Sequence, residues 1–276
     1  MPTHLKKLLA SRLPADELDQ LVGSFDVVGD IAVVIIPSPL LYRRGLIAEA
    51  ILSTSRHLRT VLRRAGVYSG EFRTLPLEVI GGEPRKETEV REFGLRYQLN
   101  LETCYFSVRS GTERQRIAGL VKTEERVLVL FSGIAPFPLM IARVGGAQVT
   151  GVEKNSAAHH YAVENVRYNQ LGSLITLFCM DAADFLRHSE TTFHRIVMPL
   201  PRGGDAFLPA ALQALRPGGT LHFYRMAKKE ECNGISAVLQ QQATAAGHCV
   251  SKIACTKAGH CGNKSFRWCF DVEVRH

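Results

Sequence analysis

Apolar residues follow two rhythms along this chain. Before about residue 115 they come in short runs, Ile31–Ile36, Leu75–Ile80 and Tyr105–Val108, which predict strands. Pro37, Pro39 and the Gly81–Gly82 pair punctuate them. Between them, "GLIAEAILSTSRHLRTVLRRAG" places Ile47, Ile51, Leu58 and Leu62 on one face at helical spacing, predicting a helix over Leu46–Arg64. The opening "MPTHLKKLLASRLPADELDQL" mixes lysines, leucines and acids and reads as an amphipathic helix rather than a signal peptide.

After residue 115 strand and helix patterns alternate. Val127–Phe131 predicts a strand and Pro136–Arg143 a helix. "AQVTGVE" is a strand, "SAAHHYAVENVRYNQLG" a helix closed by Gly172, and "LITLFCM" a strand followed by a short helix from Asp181. "RIVMPL" and "PGGTLHFYRM" are strands around a helix in "DAFLPAALQAL". A helix through Val238–Ala246 and strands near Val250 and over Phe266–Val274 complete the pattern, the last two as an antiparallel edge hairpin. Such alternation predicts a doubly wound, mostly parallel α/β sheet. The expected division is therefore a small α+β domain over 1–115 and a Rossmann-like domain over 116–276.

Composition changes this picture little. The chain has 276 residues, 46% hydrophobic and 22% charged, as in ordinary globular proteins. No apolar run approaches the roughly 20 residues of a membrane helix, and the expected location is cytoplasmic. Seven cysteines, five of them after residue 230, read as free thiols. Cys255, His260 and Cys261 fit no paired C-x-x-C template, so no metal is expected. Charge adds more. The net charge is +8, and Arg56, Arg59, Arg63 and Arg64 cluster on the polar side of the predicted helix. They form either a solvated face or a phosphate-contact patch.

In an open α/β sheet, ligands bind beyond the carboxyl ends of the strands. Here the first strand runs into "FSGIAPF", a turn holding Phe131, Gly133, Pro136 and Phe137. The second ends at Glu153, placed to accept both hydroxyls of a ribose. The third is followed by Asp181 and Ala182, at the position of an adenine contact. The fourth runs into "MPLPRGG". The G-x-G-x-x-G of dinucleotide enzymes is absent. The pattern favours S-adenosylmethionine, which has no phosphate to cradle. Taken singly, Glu153 reads equally as a surface acid and Asp181 as a helix cap.

Segments along nearly the whole chain resemble the archaeal and eukaryotic tRNA (guanine-37 N1) methyltransferases, which share their fold with the aminocarboxypropyl transferases of wyosine synthesis. They are "SFDVVGDIAVVIIP", "TVLRRAGVYSGEFR", "YFSVRSGTERQRI", "FSGIAPF", "GVEKNSAAHHYAVENVRYN", "MDAADF", "RIVMPLP" and "GGTLHFY". "GEFR" and the "YFSVR…TER" segment are the most specific.

The resemblance implies a class I methyltransferase domain that transfers a methyl group from S-adenosylmethionine to N1 of guanine 37 in the tRNA anticodon loop. Arg73 of GEFR then meets the guanine carbonyl and stabilises developing charge. Glu113 of the TER segment is the general base that removes the N1 proton. Ser107 and Arg114 match cofactor contacts, as do Glu153 and Asp181, and Arg109 joins the four arginines as an RNA contact. Because Arg73 and the cofactor turn come from different parts of the chain, the resemblance implies an active site at the domain junction of a monomer. Read without it, Arg73 is a surface arginine, Glu113 a carboxylate on a helix dipole, and Arg114 its ion-pair partner.

Three positions depart from the family pattern. Val129 stands where many members have an acid, and Ala135 replaces the second glycine of the turn. Pro199-Leu200-Pro201 replaces Asn-Leu-Pro, leaving main-chain groups near Pro199 to contact the base. The resemblance begins at the family's middle domain, so the small domain that checks the tRNA elbow is expected to be missing. Two alternatives stay open. One is a wyosine-pathway transferase moving an aminocarboxypropyl or methyl group, although Pro136-Phe137 and Arg109 are methyltransferase-like. The other is a tRNA-binding homologue without catalysis.

Overall fold

The computed structural model describes residues 5–67, 70–260 and 265–275. They form two compact units that divide between Phe106 and Ser107. No helix among the described residues is long and apolar enough to cross a membrane.

The first unit is α+β. Helices α1 (Leu5–Leu9) and α2 (Ala15–Gln20) are separated at Pro14, so the opening segment forms two short helices. Strands β1 (Phe25–Val28), β2 (Ile31–Val34), β3 (Thr60–Arg64) and β4 (Leu77–Gly82) form one sheet in that order. Helix α3 (Arg44–Leu52) lies between β2 and β3 in the chain. It seals the sheet with Ile47 and Ile51 against Ala32, Val34 and Val61. A separate hairpin, β5 (Glu87–Glu92) and β6 (Leu95–Asn100), turns at Phe93-Gly94, both with positive φ (49° and 76°). That geometry matches the right-handed twist of a two-residue hairpin.

Two expectations fail here. The helix predicted over Leu46–Arg64 stops at Leu52, where Ser53 Oγ and Thr54 Oγ1 donate to the carbonyls of Ala50 (2.8 Å) and Ile51 (2.7 Å). Hydroxyls that bond back in this way compete with the helix ladder. Thr60-Val61-Leu62 then pairs between β2 and β4, where its branched, buried side chains favour a strand. Tyr105–Val108 is likewise no strand, because the chain passes through Ser107 into a short 3₁₀ turn at Val108–Ser110.

The second unit begins with α4 (Gly111–Gly119) and carries a seven-stranded sheet. Its strands are β7 (Arg126–Leu130), β8 (Gln148–Glu153), β9 (Ile175–Cys179), β10 (Phe193–Met198), β11 (Leu215–Ala227), β12 (Val250–His260) and β13 (Phe266–Val274). The spatial order is β12-β13-β11-β10-β7-β8-β9. All neighbours are parallel except at β13, which runs antiparallel to both β11 and β12. The chain winds outward from β7 to β9 and returns to β10 on the other side of β7. The switch point thus lies at the carboxyl ends of β7 and β10.

Helices α5 (Pro136–Gly145), α6 (Ser156–Tyr168), α7 (Ala182–His188), α8 (Leu208–Gln213) and α9 (Cys232–Ala245) connect the strands. Two ends differ from expectation. The stop of α6 is Gln170, in the left-handed region (φ 57°), with the Leu171 N–H donating to the Val166 carbonyl at 3.2 Å. Gly172 is not needed for it. Helix α9 starts at Cys232, before the expected Val238, and buries Cys232 in its first turn along with Leu239 and Ala243.

Candidate active site

The turn after β7 is built from alternating left-handed residues: Phe131 (φ 55°), Gly133 (φ 56°) and Ala135 (φ 67°). Only glycine takes this conformation freely, and a side-chain-bearing residue there costs about 1–3 kcal/mol. The Ser132 N–H donates to the Val152 carbonyl (3.0 Å), tying the turn to β8. Across from it, a Cβ at Gly151 would meet Leu177 Cδ2 at 2.7 Å and Ser132 Oγ at 3.2 Å, so a larger residue there would press on the Leu177 side chain and on the turn. Pro136 opens α5, where its missing N–H is no loss. The Phe131 ring packs edge-on against Phe207 (5.0 Å between centroids), and Phe137 against Tyr224 (6.1 Å).

Glu153, the last residue of β8, is held by backbone donors. The Gly133 N–H donates to Oε2 at 2.7 Å, and the Asn155 N–H to Oε1 at 2.7 Å. Burial pushes its carboxyl above the ordinary range, and the N–H groups of Asn155, Gly133 and Lys154 partly oppose this. The carboxylate therefore faces the turn with its rotamer fixed. Asn155 caps α6 by accepting from Ala157 and Ala158.

Asp181 does cap a helix: the Ala183 N–H donates to its Oδ1 at 2.7 Å. Lys154 Nζ lies 3.1 Å from its other oxygen. Burial pushes this carboxyl up, but the Ala183 N–H and Lys154 outweigh it and hold the group below its ordinary range. Ala182, the first residue of α7, is buried. Pro199 is half-buried and directly follows β10, next to the switch point.

Glu113 sits in the first turn of α4, is buried (6% exposed), and is held by side chains. The Tyr224 hydroxyl donates to its Oε1 at 2.6 Å. Arg116 donates to both oxygens, Nη2 to Oε1 and Nε to Oε2, each at 2.8 Å. The reading of Glu113 as a carboxylate resting on a helix dipole thus understates its surroundings. Arg114 is fully buried and its Nη1 donates to the Ser107 carbonyl at 3.2 Å. That bond joins two of the expected cofactor contacts. Arg109 is exposed.

The first unit holds the remaining candidates. Arg73 is half-buried with a left-handed backbone (φ 51°). The four clustered arginines do not share a helix face. Arg63 and Arg64 are successive residues of β3 and project from opposite sides of the sheet. Arg63 is ion-paired with Glu78 through both Nε and Nη2, and Arg64 lies 3.2 Å from Asp26. Arg56 and Arg59 are exposed in the loop before β3.

Sequence reasoning passed over the residues behind Glu113. Arg116 also donates to Asp271 on β13 (Nη1 to Oδ2, 2.7 Å), and His222 Nδ1 donates to Asp271 Oδ1 at 2.6 Å. Arg195 Nη1 donates to His222 Nε2 at 2.7 Å and pairs with Glu125 at 2.7 and 2.9 Å. Little signal was available: Asp271 alternates with Arg267, Cys269 and Glu273 on the polar face of β13, and only His222, between the buried Leu221 and Phe223, stands out. His222, Cys269 and Asp271 are close enough together to suggest a cation site. However, both His222 nitrogens and the Cys269 thiol are already hydrogen-bonded, and Arg116 supplies the positive charge. Cys261 and the side chain of His260 lie outside the described residues, so the expectation for Cys255, His260 and Cys261 has no structural account.

The strand order, the switch-point turn and the acid ending β8 define a class I, Rossmann-like methyltransferase fold. Residues 88–250 match the TRM5/TYW2 methyltransferase domain, and residues 5–85 match the TYW2 N-terminal domain. The chain belongs to the TRM5/TYW2 methyltransferase family. It is 32% identical over 204 residues to the tRNA (guanine(37)-N(1))-methyltransferase Trm5b of Pyrococcus abyssi, covering 74% of this chain and 60% of that one. It is 30% identical to the tRNA 4-demethylwyosine(37)-methyltransferase Taw21 of Saccharolobus solfataricus, covering 72% and 76% of the two chains. The crystal structure of Trm5b from Pyrococcus abyssi superposes with a TM-score of 0.86 at 27% identity, over 96% of this chain and 79% of that one. The chain spans between 44% and 60% of the length of three curated tRNA (guanine(37)-N(1))-methyltransferases that it matches.

Proposed function

We propose that this chain transfers a methyl group from S-adenosylmethionine to N1 of guanine 37 in tRNA. One observation carries the reading. The Phe137 ring, from the turn that would hold the cofactor, packs on Tyr224, whose hydroxyl holds Glu113. A cofactor turn and a buried carboxylate are thereby built into one packed cluster, as a methyl transfer coupled to proton removal requires.

S-adenosylmethionine supplies an electrophilic methyl group. The residues present suit it: Glu153 is pre-oriented by backbone donors and keeps acceptor capacity for ribose hydroxyls, and the turn beside it brings backbone close. N1 of guanine carries a proton and is a poor nucleophile until that proton leaves. Glu113 takes it, and Arg73 stabilises the charge that develops on the guanine carbonyl. With proline at 199, the target base is met there by main chain. Arg56, Arg59 and Arg109, all exposed, are the proposed phosphate contacts. Arg63 and Arg64, paired with acids, are proposed to serve the sheet instead.

A second reading is transfer to a wyosine precursor at the same nucleotide. The match of residues 5–85 to the TYW2 N-terminal domain and Pro199 favour it. Incubating tRNA transcripts and wyosine-precursor tRNA with labelled cofactor, followed by nucleoside mass spectrometry, decides. N1-methylguanosine is the expected product. An aminocarboxypropyl adduct, or methylation of the precursor alone, overturns the first reading in favour of the second. No product with either tRNA leaves a binding protein.

A further inference from the structure

Glu113 and Asp271 share one cation. Arg116 places its Nε and Nη2 on Glu113 and its Nη1 on Asp271, and it is only a quarter exposed. When Glu113 takes up a proton it stops being a counter-charge. A buried guanidinium left without one is costly. Asp271 remains in contact, and its own charge is secured from behind. The His222 Nδ1–H and the Cys269 thiol both donate to its Oδ1. His222 is fixed in this tautomer because Arg195 donates to its Nε2, and Arg195 is in turn neutralised by the buried Glu125. Charge alternates along the row Glu113, Arg116, Asp271, His222, Arg195 and Glu125, with a neutral histidine as spacer.

We propose that Asp271 is a positioning residue for Glu113: by holding Arg116 as a second carboxylate, it lets Glu113 accept a proton without stranding that arginine. The inference rests on the reading of Glu113 as the base, but it concerns the protonation of Glu113 itself and can be measured apart from activity. The groups facing Glu113 are Arg116 on its own helix, Tyr224 on β11, and Cys269 and Asp271 on β13. Those facing Asp271 are Arg116, His222 on β11, and Cys255 and Cys269 on the closing hairpin. Among these, Asp271 is the negative group that competes with Glu113 for Arg116. Removing its charge while keeping its shape therefore leaves Arg116 to Glu113 alone.

The test is an NMR titration of the full-length chain labelled with ¹³C at glutamate carboxyls, with Glu113→Gln assigning the resonance. In Asp271→Asn the Glu113 midpoint is expected to fall by at least about half a pH unit. Asp271→Glu should return it towards the wild-type value. Single-turnover methyl transfer should slow by roughly three- to tenfold in Asp271→Asn, with its acid limb displaced to lower pH by the same amount. Cofactor affinity on the same preparation reports folding. Should Asp271→Asn fail to bind cofactor, Asp271→Ser carries the test with the same sign, since the second carboxylate on Arg116 is again lost and the midpoint should fall. An unmoved midpoint in the Asp271 variant that binds cofactor overturns the inference. A moved midpoint with a rate profile indifferent to Glu113→Gln removes the base reading while leaving the coupling established.

Discussion

Two carboxylates of the second unit are fixed by contrasting means. Glu153 is held by main chain: the N–H groups of Lys154 and Asn155 are its immediate neighbours, and that of Gly133 lies in the adjoining strand-end turn. Glu113 is held by side chains, with Tyr224 and, through Arg116, Asp271 separated from it by more than a hundred residues. A backbone-held acid is stiff, and its setting follows from the strand and turn that carry it. A side-chain-held acid can exchange partners and charge as it works. The first arrangement suits a binding group and the second a group that changes protonation state.

The contrast predicts effects of decreasing size. Glu113→Gln keeps the shape and the hydrogen bond from Tyr224 but removes basicity. It should lower the single-turnover rate of methyl transfer by about 10²–10⁴ with cofactor affinity nearly intact. A rate within a few-fold of wild type breaks the comparison at its catalytic end. Glu153→Ala should do the reverse: calorimetry should show S-adenosylmethionine binding weakened at least about tenfold, because charge-assisted bonds to ribose hydroxyls contribute about 1.5–3 kcal/mol each. An unchanged dissociation constant would place the ribose elsewhere.

Acid sharpens the comparison further. Burial lowers the affinity of His222 for a proton, and Arg195 and Arg116 lower it more, against the opposing pull of Asp271. Its folded-state value lies below the unfolded one, near 6.5. The unfolded chain therefore binds the proton first, and stability is lost as pH falls below about 6.5, by up to about 1.4 kcal/mol per pH unit. Urea denaturation at pH 7 and 5.5 should show a smaller loss in His222→Asn, whose amide can serve both Arg195 and Asp271. Equal losses would mean that His222 is not held neutral. Last, the first unit repeats the contrast between held and unheld groups. Arg56→Ala with Arg59→Ala should flatten the salt dependence of tRNA binding by about 0.7–0.9 per lost contact. Arg63→Ala, removing a partner of Glu78, should act on stability instead. Equal slopes for the three would return these arginines to a solvated face.

How much could be read in advance follows the same division. The strands of the second unit, the turn with Gly133, and Glu153 were legible because period, turn chemistry and strand-end position are local properties. Asp181 was legible as the cap of α7. The row behind Glu113 was not, since nothing short of the strand order brings Asp271 and His222 beside Arg116. The first unit misled for another reason. In the stretch from Leu46 to Arg64, a helix and a strand meet with their apolar residues in helical phase, and only the hydroxyls of Ser53 and Thr54 mark the join.

Strand β13 has a consequence for how the chain is made. It is the last strand in the sequence, yet it lies inside the sheet, between β11 and β12. During synthesis, β7 through β11 leave the ribosome first, and with them the turn at Gly133 and the acid at Glu153. Until β13 arrives, Arg116 lacks Asp271 and the flank of β11 is unpaired. A nascent chain can thus complete its Glu153 turn before the row behind Glu113 exists.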